Sequence, residues 1–154
     1  MSIRLALEAD LETVTRITTE TICNVYPHYY PAGAVASFLE HHSEENIRRD
    51  IAAQKVYLYE DASGEAIGTV TADDNEMNRL YVLPQAQGNG YGRELMDFAE
   101  QLIYQTHDAV VLDASLPAKK IYLRRGYQTM EYNQLLTENG DFLCYDTMRK
   151  ARQC

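Results

Sequence analysis

Between Leu80 and Arg93 the chain reads LYVLPQAQGNGYGR, a strand driven through a glycine-rich turn directly into a helix. Glycine lets the backbone turn sharply and approach a ligand closely. The first N–H groups of the helix that follows have no internal partner, and with the helix dipole they form an anion site suited to phosphate or pyrophosphate. Gly88, Gly90 and Gly92 at alternate positions exceed what a tight turn requires. A GxxxxGK[ST] phosphate loop needs a lysine where Arg93 stands, and the GxGxxG dinucleotide fingerprint has a different spacing. Rossmann units also open on strand and glycine loop, whereas three strands come first here.

The flanking sequence predicts one mixed α/β domain over 1–154. Ile3, Leu5 and Leu7 alternate as a strand, and Asp10 is placed to cap a helix carrying Leu11, Val14, Ile17 and Ile22 on one face. Pro27 ends that helix, since the residue before proline disfavours helix. After the aromatic loop VYPHYYPAG, helical patterns run from Ala32 to about His41 and again from Ser43, with Ile47 and Ile51 one turn apart. The period then changes to two: strands are predicted at Val56–Glu60, Ala66–Ala72 and Met77–Leu83, the first two joined by a turn with Gly64 at its tip. The remaining pattern predicts a helix over 90–105 and a buried strand over 109–114. A short helix over 115–125 follows, with Ser115 as cap, Ala118, Ile121 and Tyr122 inward and Gly126 as stop, then two strands across TENGD.

Composition excludes several classes. Hydrophobic residues at 45% and charged residues at 24% do not fit a disordered tail. No apolar run approaches the roughly 20 residues of a membrane helix, and the first residues turn acidic too early for a signal peptide. Fourteen Lys and Arg against 23 Asp and Glu leave a charge of −9, without the basic excess of a nucleic-acid binder. Cys23, Cys144 and Cys154 are odd in number and far apart, which predicts reduced, buried thiols in a cytoplasmic protein. His41–His42 are half of a metal site with nothing to complete it, so no metal is expected.

The spacing QxxGxG, from Gln87 through Gly90 to Gly92, with Val82 and Pro84 before it, resembles the acetyl-CoA-binding motif of the GNAT N-acetyltransferases. A second block agrees: SLPAKKIYLRRGY, from Ser115 to Tyr127, is similar to the family's NxxAxxxYxxxGF/Y segment, with Ser115 where many members carry Asn. The resemblance covers nearly the whole chain. It implies a mostly antiparallel central sheet with splayed middle strands and helices on both faces. It also implies a loop, Gln87, Gly88, Asn89, Gly90, Tyr91, Gly92 and Arg93, whose amides cradle the CoA pyrophosphate. Leu80, Tyr81 and Val82 would pair with pantetheine along the splayed strand. Ser115, as cofactor contact or simply as helix cap, and Ala118 complete the cofactor set.

The activity implied is transfer of an acetyl group to a primary amine of a small molecule or peptide, with acyl-CoA sensing without transfer as the alternative. Tyr122 holds the family position of the acid that protonates the departing thiolate, and its ordinary pKa near 10 keeps a proton available. A backbone N–H near Val82 would meet the oxyanion. Glu76, eleven positions before Gln87, matches the glutamate some members use to deprotonate the amine, directly or through water. Tyr26, Tyr29 and Tyr30 are the candidates for the acceptor pocket, and a homodimer is the assembly such families often adopt.

Overall fold

The computed structural model describes residues 2–153, so Cys154 lies outside the described residues. Seven strands form one sheet in the order β1-β2-β3-β4-β5-β7-β6, antiparallel except for β4 beside β5. They are β1 (Ser2–Leu5), β2 (Val56–Glu60), β3 (Ala66–Asp73), β4 (Glu76–Val82), β5 (Ala109–Ser115), β6 (Gln128–Leu136) and β7 (Phe142–Ala151). The helices are α1 (Leu11–Val25), α2 (Ala32–His41), α3 (Glu44–Ala52), α4 (Tyr91–Tyr104) and α5 (Leu116–Arg124). None is long and apolar enough to cross a membrane. The GNAT-like α/β architecture expected from the sequence is present.

Two cores form because the strands alternate. Val56 and Leu58 of β2 face α1, whose Val14, Ile17 and Ile22 are fully buried, while Tyr59 lies on the α4 side with Leu95, Ala99 and Ile103. In β4 this alternation is broken. Arg79 and Leu80 together oppose Val70, between the pairs Thr71–Asn78 and Thr69–Tyr81. This bulge puts Met77 in the α4 core and Tyr81, four residues on, in the α1 core. Arg79 takes a left-handed φ of 48°, a strain that three bonds from its buried guanidinium offset. They run to Asp50 at 3.0 Å, Thr71 Oγ1 at 3.1 Å and His42 Nδ1 at 3.2 Å.

Several local expectations are corrected. The Asp10 carboxylate does not cap α1; it accepts from the Leu7 N–H at 2.8 Å and pairs with Arg4. Ile121 does not face inward but is 52% exposed, because α5 rests on the sheet through Tyr122 alone among its buried residues. Ser115 occupies the cap position of α5 without a side-chain cap bond. Cys23 is exposed, not buried.

One buried carboxylate carries much of the packing behind α5. Glu100 of α4 accepts from Arg125 Nε at 2.6 Å, Tyr127 Oη at 2.8 Å and Lys150 Nζ at 3.2 Å. Removing it strands three donors, so Glu100→Ala is expected to lower the unfolding free energy by at least about 2 kcal/mol. Loss of the exposed Arg48–Glu44 pair in Arg48→Ala should cost less than about 0.5 kcal/mol. Urea unfolding of the two variants side by side tests this; equal losses would refute the network's role.

Candidate active site

The site begins where β4 and β5 part. Their ladder has a single register pair, Glu76 with Val111, reinforced by the Val111 N–H donating to Asn75 O at 2.9 Å. Beyond it the strands diverge, β4 staying with β3 and β5 with β7. N–H directions alternate along a strand. The Leu83 N–H donates to Ile67 O of the β3 side at 2.9 Å, so that of Val82 points the other way, into the gap.

A cleft of about 530 Å³ fills the gap on one side, lined by Leu80, Tyr81, Val82, the Gln87–Arg93 loop except Asn89, and Ser115, Ala118 and Tyr122. Gly88 and Gly90 have φ of 84° and 86°, values that glycine adopts without strain. A Cβ at Gly88 would meet nothing within 4 Å and at Gly92 would touch only Val82, so the cradle is open toward the cleft. Two of the loop's side chains turn back on the backbone: Gln87 Nε2 donates to Val82 O at 2.9 Å and Asn89 Nδ2 to Ala86 O at 3.0 Å. The backbone amides are then presented to a ligand together with Arg93, which lines the cleft. An extended chain bearing amides and a pyrophosphate fits this donor set.

A second cavity, about 290 Å³, lies across the gap and is lined by Phe38, His41, His42, Glu76, Asn78, Arg79, Asp113 and Tyr145. Six residues line both spaces: Tyr26, Leu80, Tyr81, Ser115, Ala118 and Tyr122. The two cavities therefore meet at one point. Tyr122 is buried there, its ring 5.4 Å from that of Tyr127, and burial followed by the neighbouring Tyr26 pushes its pKa well above that of a free tyrosine. Tyr26 Oη lies 3.3 Å from Tyr81 Oη at the same junction.

The three tyrosines expected at the acceptor end separate. Tyr26 reaches both cavities, whereas Tyr29 lines only the larger cleft and is 53% exposed. Tyr30 reaches neither; its hydroxyl donates to Cys144 O at 2.9 Å and accepts from the Leu116 N–H at 2.7 Å, tying the aromatic loop to the start of α5. Glu76 lines the second cavity, with Asn78 Nδ2 donating at 3.5 Å; burial, then Asp113 across the gap, push its pKa up. Asp113 and the Arg79–His42–Asp50 cluster escaped sequence reading. The carboxylate inside the apolar run AVVLDA was the available signal for Asp113. Among the described residues no group of three His, Cys, Asp or Glu is arranged to hold a metal.

The fold is shared with solved acetyltransferases. A GCN5-related N-acetyltransferase from Rhodopseudomonas palustris superposes with a TM-score of 0.87 at 22% identity, covering 97% of this chain and 94% of the other. The PaiA N-acetyltransferase of Thermoplasma acidophilum, solved in complex with coenzyme A, gives 0.71 at 21% identity over 97% and 98%. In sequence, an uncharacterized N-acetyltransferase of Schizosaccharomyces pombe is 33% identical over 81 residues, 46% of this chain and 50% of that protein's length. The chain thus matches about half of that relative. The acetyltransferase (GNAT) domain model matches residues 25–149, from the end of α1 into β7: this chain belongs to the GNAT family.

Proposed function

We propose that the protein is an acetyl-CoA-dependent N-acetyltransferase acting on a primary amine of a small molecule or peptide. The observation that carries this reading is the junction of the two cavities, where Tyr122 stands, beside the Val82 amide, between a cradle for the acyl donor and a pocket for the acceptor. When bound, acetyl-CoA supplies a thioester carbonyl for the amine to attack and a thiolate as leaving group.

The chain supplies the rest. Backbone N–H groups of residues 87–93 and the dipole of α4 hold the pyrophosphate, and β4 offers its open edge to the pantetheine amides. The N–H of Val82 stabilises charge on the carbonyl oxygen. As the N–C bond forms and the C–S bond breaks, Tyr122 gives its proton to sulfur. Burial raises the tyrosine pKa, so Tyr122 holds its proton until the thiolate forms beside it. Glu76 lies four residues down β4 from Leu80, about 10 Å along the bulged strand. It receives the amine's proton through water rather than by contact.

Thermal unfolding with acetyl-CoA, CoA, ATP and NAD, followed by thiol release over an amine panel, tests this. Acetyl-CoA at 100 times its Kd should add about 2.7 kcal/mol of stability. No shift with either CoA species would refute the reading, and binding without thiol release from any amine would favour acyl-CoA sensing.

A further inference from the structure

The acceptor cavity holds more carboxylate than one proton transfer needs. Asp113 of β5 lines it as well as Glu76 of β4, and the side-chain bonds of both are to neutral groups. Asn78 Nδ2 lies 3.5 Å from Glu76, and Thr147 Oγ1 donates to Asp113 at 2.9 Å. Asn78 adds a fully buried Oδ1 with no partner, a further acceptor in the same wall.

Of the three basic side chains lining this cavity His41 is exposed, and Arg79 and His42 do not balance that charge. The Arg79 side chain is 4% exposed and committed to Asp50 at 3.0 Å. Its Nε donates to His42 Nδ1, which keeps that nitrogen unprotonated, and burial followed by the Arg79 charge holds the His42 pKa down to about 3. His42 is therefore neutral. Glu76 is half-buried, and a partly desolvated carboxylate without a counter-charge is unfavourable until a ligand brings one. The rings of Tyr26, Phe38, Tyr81 and Tyr145 and several aliphatic side chains line the rest, which suits methylenes ending in a cation.

We propose that this cavity binds the second ammonium of an acceptor with two amino groups, an α,ω-diamine or polyamine. Asp113 with Glu76 pairs the distal charge while the other amine is presented at the strand gap. The proposal rests on the acetyltransferase reading above and assigns its acceptor class. Glu76 and Leu80 are four positions apart in β4, about 10 Å along the bulged strand, which sets the scale that the carbon chain and the two acidic side chains span together.

The test compares kcat/KM, by thiol release at saturating acetyl-CoA, for 1,4-diaminobutane and 1,5-diaminopentane against butylamine and pentylamine. The diamines should be preferred by about tenfold or more. Asp113→Asn, at an exposed position, should bring that ratio close to unity. Equal kcat/KM for diamine and monoamine in the wild-type protein overturns the proposal, as does a diamine preference that survives Asp113→Asn intact. Acetyl-CoA binding with turnover of neither class overturns it alone, leaving acyl transfer to another acceptor. Absence of acetyl-CoA binding overturns the acetyltransferase reading and this assignment with it.

Discussion

Tyr122→Phe protein is expected to release thiol from acetyl-CoA about 10²–10⁴-fold more slowly than wild type, the range for a positioned general acid. The substitution removes one atom. The phenyl ring keeps its contact with Tyr127, and the Tyr122 hydroxyl has no hydrogen-bond partner among the described residues, so the fold loses nothing that it was using. An interaction made only in the transition state lowers kcat and kcat/KM together. Acetyl-CoA affinity should therefore stay at the wild-type level while turnover falls. A structural tyrosine would behave oppositely, changing the urea midpoint and sparing turnover per folded molecule. Wild-type kcat in folded Tyr122→Phe protein would remove Tyr122 from the mechanism, and a loss below about tenfold would assign the proton to water.

Gly92→Glu should weaken acetyl-CoA binding about a hundredfold or more while leaving the chain folded. Gly92 is the second residue of α4, has ordinary helical geometry, and faces open space; an added Cβ would come no nearer than 3.8 Å to Val82. A carboxylate in the first turn of a helix favours the helix, by about 0.3–1 kcal/mol. The same carboxylate would sit among the amides assigned to pyrophosphate, and like charges brought together cost several kcal/mol. Gly90→Ala is the less clean probe: its φ of 86° makes any side chain strain the backbone by about 1–2 kcal/mol, mixing stability with binding. Titration calorimetry on folded Gly92→Glu decides the matter. Unchanged affinity would contradict the pyrophosphate assignment.

Local pattern carried the element order and the donor half of the site. Residues that act through their neighbours in sequence were legible: Val56–Glu60 came out of period-two alternation with the bounds the structure has, and the glycines marked the strand-to-helix turn in which Gly88 and Gly90 take left-handed φ. Groups that act through partners far along the chain were not. Arg79 meets Asp50 and His42 across 29 and 37 residues, and no spacing rule links them. The extra residue in β4 was equally hidden, since a bulge adds one position without changing composition. Ile121 misled because helical periodicity marks a face as apolar without saying whether a neighbour covers it. Tyr30 was read as a binding residue for its chemistry, but its hydroxyl is spent on two backbone groups brought close only by folding.

The single ladder pair at Glu76–Val111 gives this sheet two edges in its own interior. An outer edge strand must be guarded, because its unpaired amides and carbonyls accept any extended chain that reaches them. Here that liability is placed at the centre of the molecule and narrowed by what borders it: Tyr122 and Ala118 from below, the glycine turn at one end, Tyr26 and Tyr81 at the junction. A slender strand-like ligand with few side groups suits such an edge, where a side chain at every residue of a second polypeptide would meet these bordering groups. Selectivity for an amide-bearing tether thus requires no dedicated recognition side chain along most of its length. It is written into how far apart two strands are held.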